Sequence, residues 1–575
     1  MSCPTSEIQA LEAVAPTVDQ PIASQWLRWL GWPVLLCAVG LLVSYRLPVF
    51  SGLAWIPLGP GDGKLNHAFL EHSWLWVSGD PLHAGLWNAP FFYPLEGIMA
   101  RGDLMASSAP LYWIFRAVGC DPDVSVFGWL VTMGVINFFL VVLLLKRFVG
   151  VALLPSSIGA YLFCFAAVRV GNIAHIQLLP HCFVLGSVLC AAAYVRNVLS
   201  GGNAWAGRGW ALAAGVLLAL QSYNAFYLLL FYALAYGVGI LVGASLKSGR
   251  RFFRRAARRD FWALILASAI GVAVAWPAYA RYSRVAEQSG TRAVKDAAVN
   301  GWEIGDLVAP TTRSWLHIMV LRNRPGVFKN SQTSVTLGWV SSLAVLAGMF
   351  LMLRKPTPRF LLITFFLTAM LGFTFAGHSF WELVYRTVPG ASAIRATFRI
   401  GLLLHVPAAI ALAMAMDWAL TKRWVWRVAA LLVAAWIAVE QVPSTFVTSR
   451  RGFNQAVQDI VDAIPLDCEA FYVVSGPGEL PAEEEPAIWA AFVAGVPTVN
   501  GRTGKMPDGF ESLFRRGTTR TSVSSVRSRL RQWLESHGRA GDRVEIIRLI
   551  RNCRVEIIRP MRKRRSSTSL AVYRQ

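Results

Sequence analysis

Apolar runs of about 20 residues recur along the chain, joined by short polar connections and interrupted by longer polar stretches at 51–125, 281–333 and 444–575. A run of that length crosses a hydrocarbon core of about 30 Å as a helix, the one single-segment structure that satisfies its own backbone in lipid. The pattern predicts spans near 28–50, 126–146, 150–168, 175–195, 208–223, 226–246, 261–280, 334–353, 359–377, 396–419 and 424–443. The fold class is therefore a polytopic α-helical membrane protein of about 11 transmembrane helices. After residue 443 the pattern changes to short strand-like runs, FYVV at 471–474, VEIIRLI at 544–550, RVEIIRP at 554–560 and LAVYRQ at 570–575, set between helical stretches. These predict a small C-terminal α/β domain over 444–575, following a cytoplasmic tail at 1–27 and a transmembrane domain at 28–443. The hexapeptide RVEIIR occurs at 543–548 and again at 554–559, a duplicated strand too short to define a repeat fold.

Composition agrees: 55% of the 575 residues are hydrophobic and 15% charged, with a mean hydropathy of +0.47. The net charge of +23 does not indicate nucleic acid, because much of the excess lies in short loops between apolar runs. Those basic loops alternate: Lys146 and Arg147, Arg196 and Arg208, KSGRRFFRRAARR at 247–259, RKPTPR at 354–359, then Lys422, Arg423 and Arg427. Positive charge marks the cytoplasmic side, which puts the N-terminus inside and the loops 51–125 and 281–333 and the tail outside. The arginine run is read here as a topology signal touching anionic headgroups, with no further role. Cys37, Cys164, Cys182 and Cys190 are small apolar-run residues, and no CxxC pair suggests a metal; Cys468 and Cys553 lie in the polar tail, where an oxidising compartment would allow a disulfide.

The stretch from Gly59 to Pro110 is the first long polar break and holds Asp62, Glu71, Asp80, Glu96 and Asp103. Asp62, in GPGDG just beyond the first span, is placed for a partly desolvated carboxylate acting as a base; its plain alternative is to start a turn or a helix. Glu71 and His72 follow in LNHAFLEHSWLW, where His67 and Glu71 at i,i+4 read as a solvated interfacial face. Asp80 and Glu96 sit in turn sequences, and Asp103 stands ahead of LYWIF, where it would cap the helix that begins there. Trp74, Trp76, Trp87, Phe91, Phe92, Tyr93, Tyr112 and Trp113 read as an interfacial belt, a surface for sugar and lipid, or both.

GDGKLNHAFLEH at 61–72, FFYP at 91–94, GDLMASSAPLYWIFRAVG at 102–119, PGASAIRATFR at 389–399 and PTVNGRTGKMPDGF at 497–510 resemble the GT-C glycosyltransferases. These use polyprenyl-phosphate sugars, and the likeness is strongest to large bacterial glycosyltransferase-like membrane proteins. The resemblance implies an inverting transfer at the outer face of a bacterial cytoplasmic membrane, from a polyprenyl-phosphate sugar donor to an envelope glycan, lipid or protein. Asp62 stands where the family places its base. Arg395 and Arg399, predicted to share a helical face, would clamp the leaving phosphate, with Glu71, His72, Asp103, His175 and Gln177 as further substrate-binding positions. The family's acidic-x-acidic pair is absent from the loop, which leaves a divalent metal open. PTVNGRTG offers no physical reason to place Asn500 or Arg502 at the site. Two other readings remain: a transporter or flippase for a lipid-linked glycan, and a non-catalytic relative that binds glycan.

Overall fold

The structure, a computed structural model, describes residues 22–558 except 60, 291–292, 325, 327–333, 445–446, 466, 475–483, 505, 511–522, 540–543 and 551–553. Most of the predicted tail at 1–27, the strand at 570–575, the basic MRKRRSST segment and Cys553, with its proposed link to Cys468, lie outside the described residues.

A helix occupies each predicted span, and among the described residues six helices are long and apolar enough to cross a membrane: Pro122–Val149, Leu153–Val170, Ile173–Ser200, Phe226–Ser245, Lys247–Gln288 and Thr397–Leu420. The chain is a multi-pass membrane protein. Local sequence sets the helix ends. Asp121 caps the helix that starts at Pro122 by accepting from the N–H groups of Asp123 and Val124 at 3.0 and 3.1 Å, while Pro122 fills a position that needs no donor. Glu440 likewise accepts from the backbone N–H groups of Trp339, Val340 and Ser341, satisfying the opening turn of helix Trp339–Arg354.

Helices in lipid associate by close packing rather than by escape from water, so small residues mark their contacts. An added Cβ at Gly348 would lie 1.9 Å from the Ala411 carbonyl oxygen, and one at Gly159 would lie 2.6 Å from that of Ala409. Helices Trp339–Arg354 and Leu153–Phe165 therefore rest directly on the backbone of His405–Leu420, whose residues His405–Met414 are all buried. The helix Lys247–Ser289 bends at Asp260 (φ −131°) and runs on to Ser289, so the connection expected from residue 281 begins later than the hydropathy pattern places it.

The stretch after the first span is not a surface loop. It opens with helix Asp62–Val77, whose residues Gly63–Ser73 are all buried, and then joins the tail in one folded unit. Strand Ala470–Val474 pairs in parallel with Val544–Ile550, which pairs antiparallel with Arg554–Ile558, so that Ile546 and Ile547 of the first VEII stand opposite Ile558 and Ile557 of the second. On the other edge, Thr498 bridges both Phe471 and Phe91, and the N–H groups of Phe92 and Tyr93 donate to Asn500 and Thr498 carbonyls at 3.0 and 2.9 Å. The early stretch thus supplies an edge to the tail's sheet. The core follows the same pairing: Leu65, Phe69, Phe91 and Phe92 pack with Phe471, Trp489, Phe510, Ile546 and Ile547. Lys64 anchors the join, bonded to Asp123 at 3.0 Å and lying 4.2 Å from the Phe453 ring centre, while Arg450 reaches Asp121 at 2.8 Å. The aromatic residues Phe91, Phe92 and Tyr112 are consequently core, at 1%, 0% and 0% exposure, and do not line an open sugar-binding face.

Candidate functional site

Asp62 is the first residue of helix Asp62–Val77. Gly61 before it has φ 80°, and an added Cβ there would press on the Arg502 guanidinium at 3.1 Å, so this position needs glycine for both backbone and space. Asn66, one turn on, donates to the Asp62 carbonyl at 2.7 Å and to that of Ala174 at 3.3 Å, tying the helix start to segment Ile173–Leu178. The Asp62 side chain remains 41% exposed.

Arg502 donates through Nε to Asp62 Oδ1 at 3.0 Å and through Nη1 to Glu485 Oε1 at 2.9 Å. Asp62 Oδ2 lies 3.8 Å from His175 Nδ1. Two carboxylates 423 positions apart in the chain, Asp62 and Glu485, thus converge on one guanidinium. Burial pushes the Glu485 carboxyl up from its ordinary range, and Arg502 opposes that shift. Arg502 is placed by its neighbours: the Asn500 side chain accepts from Val473 N–H at 2.7 Å and donates to Val473 carbonyl at 3.0 Å, and Gly501 N–H donates to Glu484 at 2.8 Å.

His175 lies in the electrostatic field of Arg399, Asp62, Arg313 and Arg395. Arg399 is 9% exposed, stands 5.0 Å from the Tyr227 ring centre, and its Nε has no hydrogen-bond partner among the described residues. Asp103 is close to Arg399 and Gln177 and accepts from Phe226 N–H at 2.9 Å; burial is the main influence on its carboxyl and pushes it up. Asp62, His175, Gln177, Arg395, Arg399 and Asp103 are therefore brought into one polar region. Two expectations change. Asp103 caps helix Phe226–Ser245 and not the one that follows it in sequence. Arg395 precedes the 3-10 helix Thr397–Leu404, so it shares no helical face with Arg399; Ile394 and Ala396 around it are non-helical.

Glu71 and His72 stand apart, turned into the protein. Glu71 accepts from Tyr112 Oη at 2.5 Å and makes a two-point pair with Arg116 at 3.1 and 3.0 Å. His67 is 0% and Glu71 4% exposed, so the expected solvated i,i+4 face is a buried one, with His67 Nε2 at 3.0 Å from the Pro122 carbonyl. His72 Nε2 is 3.1 Å from the Leu86 carbonyl, which makes it the protonated nitrogen and leaves Nδ1 to accept from His83 Nδ1–H at 2.7 Å. Both rings are held neutral.

Burial is the chief cause that lowers His72 to about 3 and His83 to about 4, from 6.5. The sign follows: above pH 6.5 both folded and unfolded rings are neutral, and as pH falls toward 4 the unfolded chain takes up protons that the folded chain refuses. Stability is thus lost on acidification, by about 2 kcal/mol per histidine at pH 5. Thermal unfolding at pH 7 and pH 5 checks this, and a variant carrying His72→Leu and His83→Leu is expected to show a much smaller fall between the two.

Among the described residues no three His, Cys, Asp or Glu side chains form a group able to hold a metal ion. Asp62 and Glu485 share a guanidinium instead. The described residues therefore do not offer a donor set for a divalent metal here.

These elements define a multi-pass helical membrane protein with a polar site at the junction of its bundle and a mixed helix–sheet unit. No family model matches the chain, and no curated protein does. Among solved structures, arabinofuranosyltransferase AftD from Mycobacteria is similar at TM-score 0.47 and 14% identity, over 84% of this chain and 33% of that one. A mutant of the same enzyme gives TM-score 0.49 and 15% identity over 90% and 36%. ArnT from Cupriavidus metallidurans bound to undecaprenyl phosphate gives 0.32 and 13% over 82% and 85%. The chain spans about a third of the length of the AftD structures.

Proposed function

We propose that the protein transfers a sugar from a polyprenyl-phosphate-linked donor to a hydroxyl of an envelope glycan, lipid or protein, with inversion. The reading places eleven crossings in the membrane and the site on the extracytoplasmic face, where a lipid-linked donor is available and a nucleotide sugar is not. The observation that carries it is Asp62, a carboxylate with an exposed side chain, held beside His175 in a region that also holds Arg395 and Arg399.

In this mechanism Asp62 takes the proton of the acceptor hydroxyl as that oxygen attacks the anomeric carbon. The bond from that carbon to the phosphate oxygen breaks, and the electron pair leaves with polyprenyl phosphate. Arg399, whose Nε has no partner among the described residues, and the exposed Arg395 receive the charge that develops on the phosphate. Arg502 holds Oδ1 of Asp62 and so fixes the carboxylate's direction, leaving Oδ2 toward His175 and the open side. The role of the tail is to deliver that arginine.

A deletion strain compared with its complemented parent tests the reading. Loss of one envelope glycan together with accumulation of its lipid-linked sugar on the outer leaflet is the expected result. Accumulation confined to the inner leaflet would instead identify a flippase, and unchanged envelope glycans would reject both.

A further inference from the structure

The arginines between 250 and 259 fall at 250 and 251, 254 and 255, 258 and 259, a four-residue period that sets two adjoining rows along a helix. They occupy the opening turns of helix Lys247–Ser289, up to its bend at Asp260. This segment is fixed against the bundle at both ends. Gly249 lies so near helix Phe226–Ser245 that an added Cβ would fall 2.0 Å from the Gly243 carbonyl oxygen, and the Phe253 ring packs on Gly243. At the bend, Asp260 binds Arg208 at 3.1 Å and Arg259 at 2.8 Å. Arg250, Arg251, Arg254, Arg255 and Arg258 stay exposed. Phe261 and Trp262 follow at once, 51% and 77% exposed, and such aromatic residues sit at the membrane–water interface. The arginines therefore stand at headgroup level.

Topology requires charge here but not a groove, and a groove is present. A shallow cleft of ≈ 410 Å³ runs between the two helices, with apolar walls of Ile240, Ala244 and Phe253 and with Arg250 and Arg254 also lining it. Ile240 and Leu241, 55% and 72% exposed, continue the apolar wall along helix Phe226–Ser245. Arg250 donates through Nη1 to the Ala244 and Ser245 carbonyls at 3.3 and 3.1 Å, which satisfies that helix end and leaves its other N–H groups for a ligand. Arg254 makes no hydrogen bond or ion pair among the described residues, and the acidic residue of the segment, Asp260, is already engaged.

We propose that this groove binds an anionic phospholipid of the surrounding bilayer, its phosphate between Arg250 and Arg254 and an acyl chain along Ile240, Ala244 and Phe253. A phosphate oxygen accepts from the guanidinium N–H groups, and the apolar walls take the chain. A choline headgroup would bring its own cation against the arginines, so the site selects net negative charge. None of these residues belongs to the site at Asp62, and the proposal stands whether or not the chain is a transferase.

The test is lipid retention by the full-length protein, released from nanodiscs of equal phosphatidylglycerol and phosphatidylcholine and weighed by native mass spectrometry. The wild type is expected to retain phosphatidylglycerol over phosphatidylcholine on the order of tenfold or more, from about fivefold for each arginine near the surface. Arg254→Gln should cut that preference about fivefold, and Arg250→Gln with Arg254→Gln should abolish it. Arg251→Gln with Arg258→Gln removes the same charge from the same helix outside the groove and should leave the preference in place. Equal retention of the two lipids by the wild type overturns the proposal, as does an equal loss in the two double variants, which would mean diffuse attraction. Should the Arg250 variant fail to fold, Arg254→Gln alone decides, because its side chain bonds to no described residue; unchanged preference there also overturns the proposal.

Discussion

Asp62→Asn is expected to lower glycosyl transfer by about 10²- to 10⁴-fold, the usual contribution of a positioned general base. The substitution keeps the shape of the side chain and an oxygen that can accept from Arg502 Nε, so the helix start and the join to the tail remain. Protein should therefore reach the membrane in wild-type amount and unfold at nearly the wild-type temperature. Donor binding should change little, since the base acts on the acceptor's proton, and the loss should fall on kcat. Activity is measured by following a radiolabelled sugar from polyprenyl phosphate to acceptor in membranes. Full transfer by Asp62→Asn would remove Asp62 from the mechanism.

Glu71→Ala is expected to act differently, by destabilising the fold by about 3–5 kcal/mol, the range for removing one partner of a buried ion pair. The Glu71 side chain is 5% exposed, and its loss leaves Arg116 without its carboxylate and Tyr112 Oη without an acceptor, both packed beneath helix Asp62–Val77. The predicted signature is a large drop in folded yield and unfolding temperature. Glu71→Gln keeps the volume and one acceptor and should fall between. A Glu71→Ala protein of wild-type stability with impaired donor binding would restore the substrate-binding role that sequence suggested.

The contrast between Asp62 and Glu71 shows what was legible in the sequence. The helices were legible, since a long apolar run in lipid has one backbone solution and each predicted span holds a helix, six of them among the described residues long and apolar enough to cross a membrane. Asp62 was legible as a position, flanked by the glycines that a turn requires. The burial of Glu71, His72 and the aromatic cluster was not, because a stretch between spans has no periodicity that distinguishes a solvated face from one covered by chain 400 positions later. PTVNGRTG was visible as a motif, yet nothing local places Arg502 against Asp62, 440 residues away. The pairing of Thr498 and Asn500 with Phe91–Tyr93 helps bring them together. The Arg395–Arg399 spacing misled for a related reason: i,i+4 has meaning only within a helix, and that helix begins at Thr397.

That late pairing also sets an order of events during synthesis. Phe91 and Phe92 leave the ribosome about 400 residues ahead of Thr498, an interval on the order of 20 to 80 s at ordinary elongation rates. Throughout it the early segment has membrane on one side and no sheet to join, with its apolar side chains and strand edge uncovered. Arg502 arrives only at the close, so Asp62 acquires its partner after every helix of the bundle has been made. The bundle is thus assembled first and the surroundings of Asp62 are completed last, with the Phe91–Tyr93 edge left unpaired until the residues around Thr498 have been made.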